Sequence, residues 1–338
     1  MIKGNVYPVE GARIPVQNPF ILAAHHVDAY PKGNGEMAPI EFPIDWEKGN
    51  DFSSTRGWKM YHGDYVPGFP AHPHRGFQTI TYAKTGYIDH FDSHGNYGRY
   101  GDGDVQWMVA GKGMQHAEMF PLVNTDQPNP FEIVQIWLNL PAKMKMVEGA
   151  YEMHWREELP IVVLDKEKPS ENYLKVLAGS YLDASAPKPS EVSYGHDENH
   201  YVNIWEGQLA QGKTLTIPQF PEEVPVQLFI RSGEVSVDGN KITAPSLLVY
   251  TSDSDVDFTV TENLDFMVFT GKTIDEEVFA YGPFVMTTRE EVVQAYNDFE
   301  RTEFGGWPWE SDAPIIPTDE GRFSVNNHGQ EKMMPPTQ

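Results

Sequence analysis

The stretch AHPHRGFQTITY, Ala71–Tyr82, sets two histidines one residue apart before an arginine, a glycine and an alternating run. Alternation of this kind marks a β-strand, in which residues i and i+2 share a face. His72 and His74 therefore point the same way, and their role depends on what the rest of the chain brings opposite them. A second pair with the same spacing lies in GDVQWMVAGKGMQHAEMF, where His116 and Glu118 flank Ala117. His116 follows His74 by 42 residues. That length holds roughly three or four short strands, enough to return the second pair beside the first. Together the pairs would form an inward pocket of three imidazoles and one carboxylate. Such a donor set suits one divalent first-row metal, and positions left open for substrate or O2 point to Fe(II). Zinc, nickel and copper outrank iron in affinity, and manganese suits the carboxylate, so any of them would compete for the site. A plainer alternative stands beside this one. The histidines would hydrogen-bond to loop carbonyls, and Glu118 would pair with Arg75 or Lys112.

Outward from this stretch the chain reads as all-β. Strands are expected at Phe77–Tyr82, Gly86–Phe91, Val105–Ala110 and Ile133–Leu138, separated by turn clusters such as DSHGNYGRYGDGD. Residues 1–70 read as edge strands and irregular structure, with a long loop over 31–60 shaping a pocket mouth or an interface. Residues 141–160 read as a connection. Short strands resume from Ile161, and VQLFIRSGEVSVDG (226–239) reads as strand, glycine turn, strand. One helix is expected in TTREEVVQAYNDFERTEFGG, with Thr287 or Thr288 as N-cap and Val292, Val293, Tyr296 and Phe299 as its apolar positions. The pattern predicts two β-sandwich or barrel domains of related type, 1–150 carrying the histidines and 151–304 without a site. An irregular tail over 305–338 is expected to wrap the surface.

Composition narrows the function. Lys+Arg number 25 against 49 Asp+Glu, a formal net charge of −24, which repels phosphate backbones and anionic membranes. There is no cysteine, so disulfides, thiolate metal sites and a cysteine nucleophile are excluded. The N-terminus lacks the profile of a signal peptide and no apolar run is long enough to span a bilayer, so a cytoplasmic monomer is expected. The other histidines carry weaker signals. His25 and His26 are adjacent and would face opposite sides of a strand. His196 and His200 sit in a polar loop. His90, Asp92 and His94 lie between the two pairs, placed either to orient ligand imidazoles or to hydrogen-bond within their own loop.

FPAHPHRGFQTITY, IDHFDSHGNYG, GDVQWMVAGKGMQHAEMF and QIWLNLP resemble, in order, the signature blocks of the pirin family. YGPFVMTTREEVVQAYNDF resembles its C-terminal block, so the likeness runs from Asn18 to Phe304. It implies a bicupin, two β-barrel or jelly-roll-like cupin domains with a short C-terminal helix, the first domain metal-bearing. The family's iron ligands fall on His72, His74, His116 and Glu118. The resemblance further implies a quercetinase-type dioxygenase that opens a small aromatic enolate-type substrate with O2 and releases carbon monoxide, Glu118 taking the substrate proton. It equally implies a non-enzymatic alternative, a metal-dependent regulator of a partner enzyme or transcription factor. One departure stands out. The family's acidic residue after HPHRGF is Gln78 here, which puts the carboxylate at Glu118 and leaves a neutral amide to tune the pocket.

Overall fold

Alternating, β-branched and aromatic segments separated by glycine turns can bury one face only by pairing, and the regular elements of the chain are almost all antiparallel strands. The computed structural model describes residues 2–43, 46–51 and 56–337; positions 44–45 and 52–55 of the expected 31–60 loop lie outside these. Two compact units emerge, neither continuous in sequence. One joins the residues through Ala24 to Ile136–Asn139 and Glu157–Asp275; the other joins His25–Gln135 to Leu140–Arg156 and everything from Glu276 onward.

In the histidine-bearing unit one sheet includes, in order, Ala150–His154, Asp104–Val109 and Phe77–Thr85. The other runs Glu331–Met333, Phe323–Asn326, Tyr97–Gly101, Tyr87–Asp92, Met114–Met119, Gly68–His74. Register decides which residues look inward. His72 pairs with His116 and His74 with Met114, while His90 pairs with Glu118 and Asp92 with His116. On the first sheet Thr81 pairs with Gln106 and Thr79 with Met108. Tyr30, Trp58, Met60, Tyr61, Phe120, Phe131 and Trp155 fill the core of this unit.

The other unit carries a nine-stranded sheet whose main path runs Lys3–Pro8, Ser246–Thr251, Val226–Val237, Val256–Thr270, Asn203–Leu209, Tyr173–Ala178, Ile161–Val163. Leu228, Ile230, Phe266, Val268 and Trp205 are fully buried in it. Among the described residues no helix is long and apolar enough to cross a membrane.

Four local readings change. Tyr97–Gly101, inside the expected turn cluster, is a strand; at Gly98 a Cβ would stand 2.4 Å from the Phe323 carbonyl oxygen, so the missing side chain is what admits the neighbouring strand. Ala150–His154 is a strand within the expected connection. Val226–Val237 does not reverse at its glycine; Gly233, at φ +90°, sits in a bulged run where the register with Val256–Thr270 shifts. The tail is not wholly irregular. Phe323–Asn326 pairs with Tyr97–Gly101, and Trp309 and Phe323 pack on Phe91 and Tyr97.

The helix, Arg289–Thr302, starts at Thr288 with a capping box to Glu291. Its buried face is Val292 and Ala295; Val293 is exposed, against expectation, and Tyr296 is partly so while packing on Phe284.

Candidate metal centre

Strand Gly68–His74 places His72 and His74 on its inward face, and strand Met114–Met119 lies antiparallel beside it with His116 and Glu118 on the same side. Four strands, Phe77–Thr85, Tyr87–Asp92, Tyr97–Gly101 and Asp104–Val109, occupy the interval between the two pairs. The result is a cluster in which one ligand atom each from His72, His74 and His116 lies within 4.8 Å of the others. Among the described residues no other group of three histidines, carboxylates or cysteines is so disposed. Glu118 reaches the edge of the cluster, with Oε2 3.8 Å from His116 Nε2.

The loop-carbonyl alternative for the histidines is partly realised, and it works in favour of a site. His72 Nδ1 is 2.8 Å from the Pro70 carbonyl and His74 Nδ1 is 3.4 Å from that of Pro283. With Nδ1 so engaged, each ring turns its Nε2 away from that carbonyl. His116 is fully buried, and neither ring nitrogen has a hydrogen-bond partner in the protein. The salt-bridge alternative for Glu118 does not form. Arg75 binds Asp298 and Lys112 binds Glu148, while Glu118 Oε1 lies 3.3 Å from the Thr81 hydroxyl.

Burial sets the protonation states. It lowers the pKa of His72 to about 4 against an opposing pull from the Pro70 carbonyl. It holds His74 and His116 well below the usual imidazole range, with the neighbouring histidines adding to the effect. Three neutral imidazoles in one place are three lone-pair donors at neutral pH. Burial raises Glu118 to about 7, the Thr81 contact working the other way.

The remaining candidates separate cleanly. His25 bonds Glu132 at 3.0 Å and His26 meets the Tyr61 hydroxyl at 3.1 Å. His196 and His200 lie against the carbonyls of Pro189 and Tyr194, each at 2.7 Å. Asp92 anchors its own turn by accepting from the backbone N–H groups of His94 and Asn96. His90 is buried against the cluster, stacked on Tyr151 at 4.7 Å with its ring 5.5 Å from that of His116.

Gln78 does not line the pocket. Alternation along Phe77–Thr85 turns Thr79 and Thr81 inward and Gln78 to the opposite face, so the expected tuning by its amide has no geometric basis. Thr81, Gln106, Gln135 and Tyr151 are inward neighbours that no motif singled out. Thr81 donates to Gln135 Oε1 at 2.7 Å, and both Gln106 amide atoms are buried without a protein partner. The period-two pattern of QTITY and DVQWM was the available signal for Thr81 and Gln106; Gln135 and Tyr151 had none.

Residues 47–138 match the family model described as Pirin, and residues 204–305 match the Pirin C-terminal cupin domain. A pirin-like protein of Caulobacter vibrioides is 33% identical over 241 residues, covering 71% of this chain and 82% of that protein. A Pseudomonas aeruginosa protein, provisionally named a quercetin 2,3-dioxygenase, is 34% identical over 239 residues, covering 70% of this chain and 80% of its own length. Among solved structures, a quercetin 2,3-dioxygenase from Acinetobacter baumannii aligns with a TM-score of 0.71 at 28% identity, over 90% of this chain and 99% of that one.

Proposed function

The chain belongs to the pirin family and is an all-β bicupin with one short C-terminal helix; from that premise we propose that it is an Fe(II)-dependent dioxygenase of quercetin-like flavonols. In this reading His72, His74, His116 and Glu118 hold the metal. The observation that carries it is the convergence of three neutral imidazoles, of His72, His74 and His116, the last buried with both ring nitrogens left without a protein partner. An unmatched buried polar group costs about 1–3 kcal/mol, and a ligand bond is what would remove that cost here. The donor set fits a divalent first-row ion with positions left open.

When bound, the ion supplies a Lewis-acid template that favours an anionic, enolate-type ligand and readies it for O2. The protein's own groups do the rest. His72 and His74 present Nε2 because Pro70 and Pro283 occupy the other ring nitrogen. Glu118 is the carboxylate placed to take the proton of the flavonol 3-hydroxyl, with the Thr81 hydroxyl 3.3 Å from its Oε1. Thr79, Gln106 and Tyr151 share the inward face of their sheet with Thr81 and are the polar groups this reading sets toward the substrate. One flavonol and one O2 give one ring-opened ester and one carbon monoxide.

Protein loaded anaerobically with Fe(II) is expected to bleach quercetin absorbance once air is admitted. His74→Ala and Glu118→Ala are each expected to lose bound metal and turnover together. Undiminished turnover by a variant that elemental analysis shows to be metal-free would overturn the reading. So would a failure to turn over with every divalent metal offered.

A further inference from the structure

Both ligand-bearing strands are gripped by the segment that follows Glu276, more than 150 residues further along the chain. Arg75, next to His74, is the centre of the grip. Its Nη1 binds Asp298 Oδ2 on the C-terminal helix at 2.8 Å, its Nε donates to the Lys112 carbonyl at 2.6 Å, and its guanidinium lies 4.5 Å over the Phe304 ring. The backbones join as well. Arg75 N–H faces the Pro283 carbonyl at 3.4 Å, and Val285 N–H donates to the Arg75 carbonyl at 3.0 Å. Gly76, at φ +85°, lets this happen, since a Cβ there would stand 2.0 Å from the Val285 carbonyl oxygen. Next to His116, Gln115 Nε2 donates to the Glu303 carbonyl at 2.7 Å.

We propose that Arg75 and Asp298 are positioning residues for the metal, a clasp that holds the Pro283 carbonyl against His74 Nδ1 and so fixes which way His74 presents Nε2. The Pro283 carbonyl is carried by the hairpin Phe279–Met286, whose pairing with Arg75 is tied to the helix by the ion pair and to Gly76 by the Lys145 ammonium. Outer partners of this kind typically govern about 10–100-fold in metal affinity. The inference rests on the metal site proposed above.

Co(II), whose visible spectrum reports coordination geometry, is the probe. Asp298→Ala is expected to release Co(II) to a chelator at least about tenfold faster and to alter the spectrum. Asp298→Glu, which keeps the charge, is expected to restore most of the retention. Thr288→Ala removes the helix N-cap but leaves the clasp, so it is expected to lower thermal stability without hastening release. Wild-type release and spectrum in Asp298→Ala would overturn the clasp, as would equal acceleration by Thr288→Ala. Failure of the unaltered protein to take up Co(II) would overturn the metal site and the clasp with it, which separates the two failures.

Discussion

Lys145 shows what single-residue burial costs in this protein. Its ammonium is almost fully buried and donates to the carbonyls of Gly76 at 2.8 Å and Val285 at 3.0 Å. Desolvation pulls its pKa from 10.5 to about 8, with Glu276 and Glu291 pulling the other way. The sign follows directly. Between pH 8 and 10.5 the unfolded chain still binds this proton while the folded protein has released it, so stability rises with pH across that window and is lost as pH falls through 8. The total is on the order of 3 kcal/mol. Urea unfolding of wild type and Lys145→Met at several pH values is expected to show the gap between them widening in favour of wild type from pH 8 upward. A gap that is constant or narrows would mean that the two carbonyl dipoles outweigh desolvation. The metal candidates are the other residues whose surroundings matter most, and they were readable in advance. Period-two spacing alone put His72 with His74 and His116 with Glu118 on shared faces. The same logic applied to QTITY would have sent Gln78 outward, had the strand been phased on Thr81.

At the scale of elements, the tail from Trp307 onward is anchored near Ile316 by one guanidinium, beside its strand pairing and aromatic packing. Arg99 pairs with Asp89 through two bonds, of 2.7 and 2.8 Å, and donates to the carbonyls of Ile316, Pro317 and Glu320. Asp89 is fully buried and its Oδ2 also accepts from the Ile316 N–H. Arg99→Met therefore strands a buried carboxylate and three carbonyls at once. It is expected to cost about 3–5 kcal/mol, read by urea unfolding, and to open the tail to protease in the native state. A loss below 1 kcal/mol with the tail still protected would show that Trp309, Phe323 and Val325 hold the segment without the ion pair. None of this was legible from the tail itself. Strands with clean alternation, such as Phe77–Thr85 and Asp104–Val109, declare themselves. Tyr97–Gly101 is glycine-rich and polar because it is covered by another strand, and a local pattern does not record what covers it. The Val226–Val237 strand misled for the opposite reason, since glycine serves a bulge there as readily as a turn.

Across the whole molecule, the two same-face pairs were visible because each lies within three residues, while the grip of Pro283 and Asp298 on the histidine strand spans more than 200 residues and leaves no mark in either segment. That division has a thermodynamic counterpart. Two buried ring nitrogens of His116 lack a protein partner, a cost to the metal-free protein that a bound metal would remove. A ligand specific for the folded state at a hundred times its Kd stabilises by about 2.7 kcal/mol. Added metal is thus expected to raise the unfolding free energy of wild type by that amount, and a chelator to reverse it. His116→Leu replaces two partnerless ring nitrogens with an apolar side chain of similar bulk. Without metal it is expected to be at least as stable as metal-free wild type, and with metal to gain nothing. Urea titrations of the four states give both comparisons. A metal-free His116→Leu protein that is less stable by 2 kcal/mol or more would mean that the imidazole earns its place by packing, and that the orphaned nitrogens are no sign of a site. The expected pattern instead, stability neutral or improved when empty and unresponsive when metal is supplied, would tie the unsatisfied interior of this unit to metal binding alone.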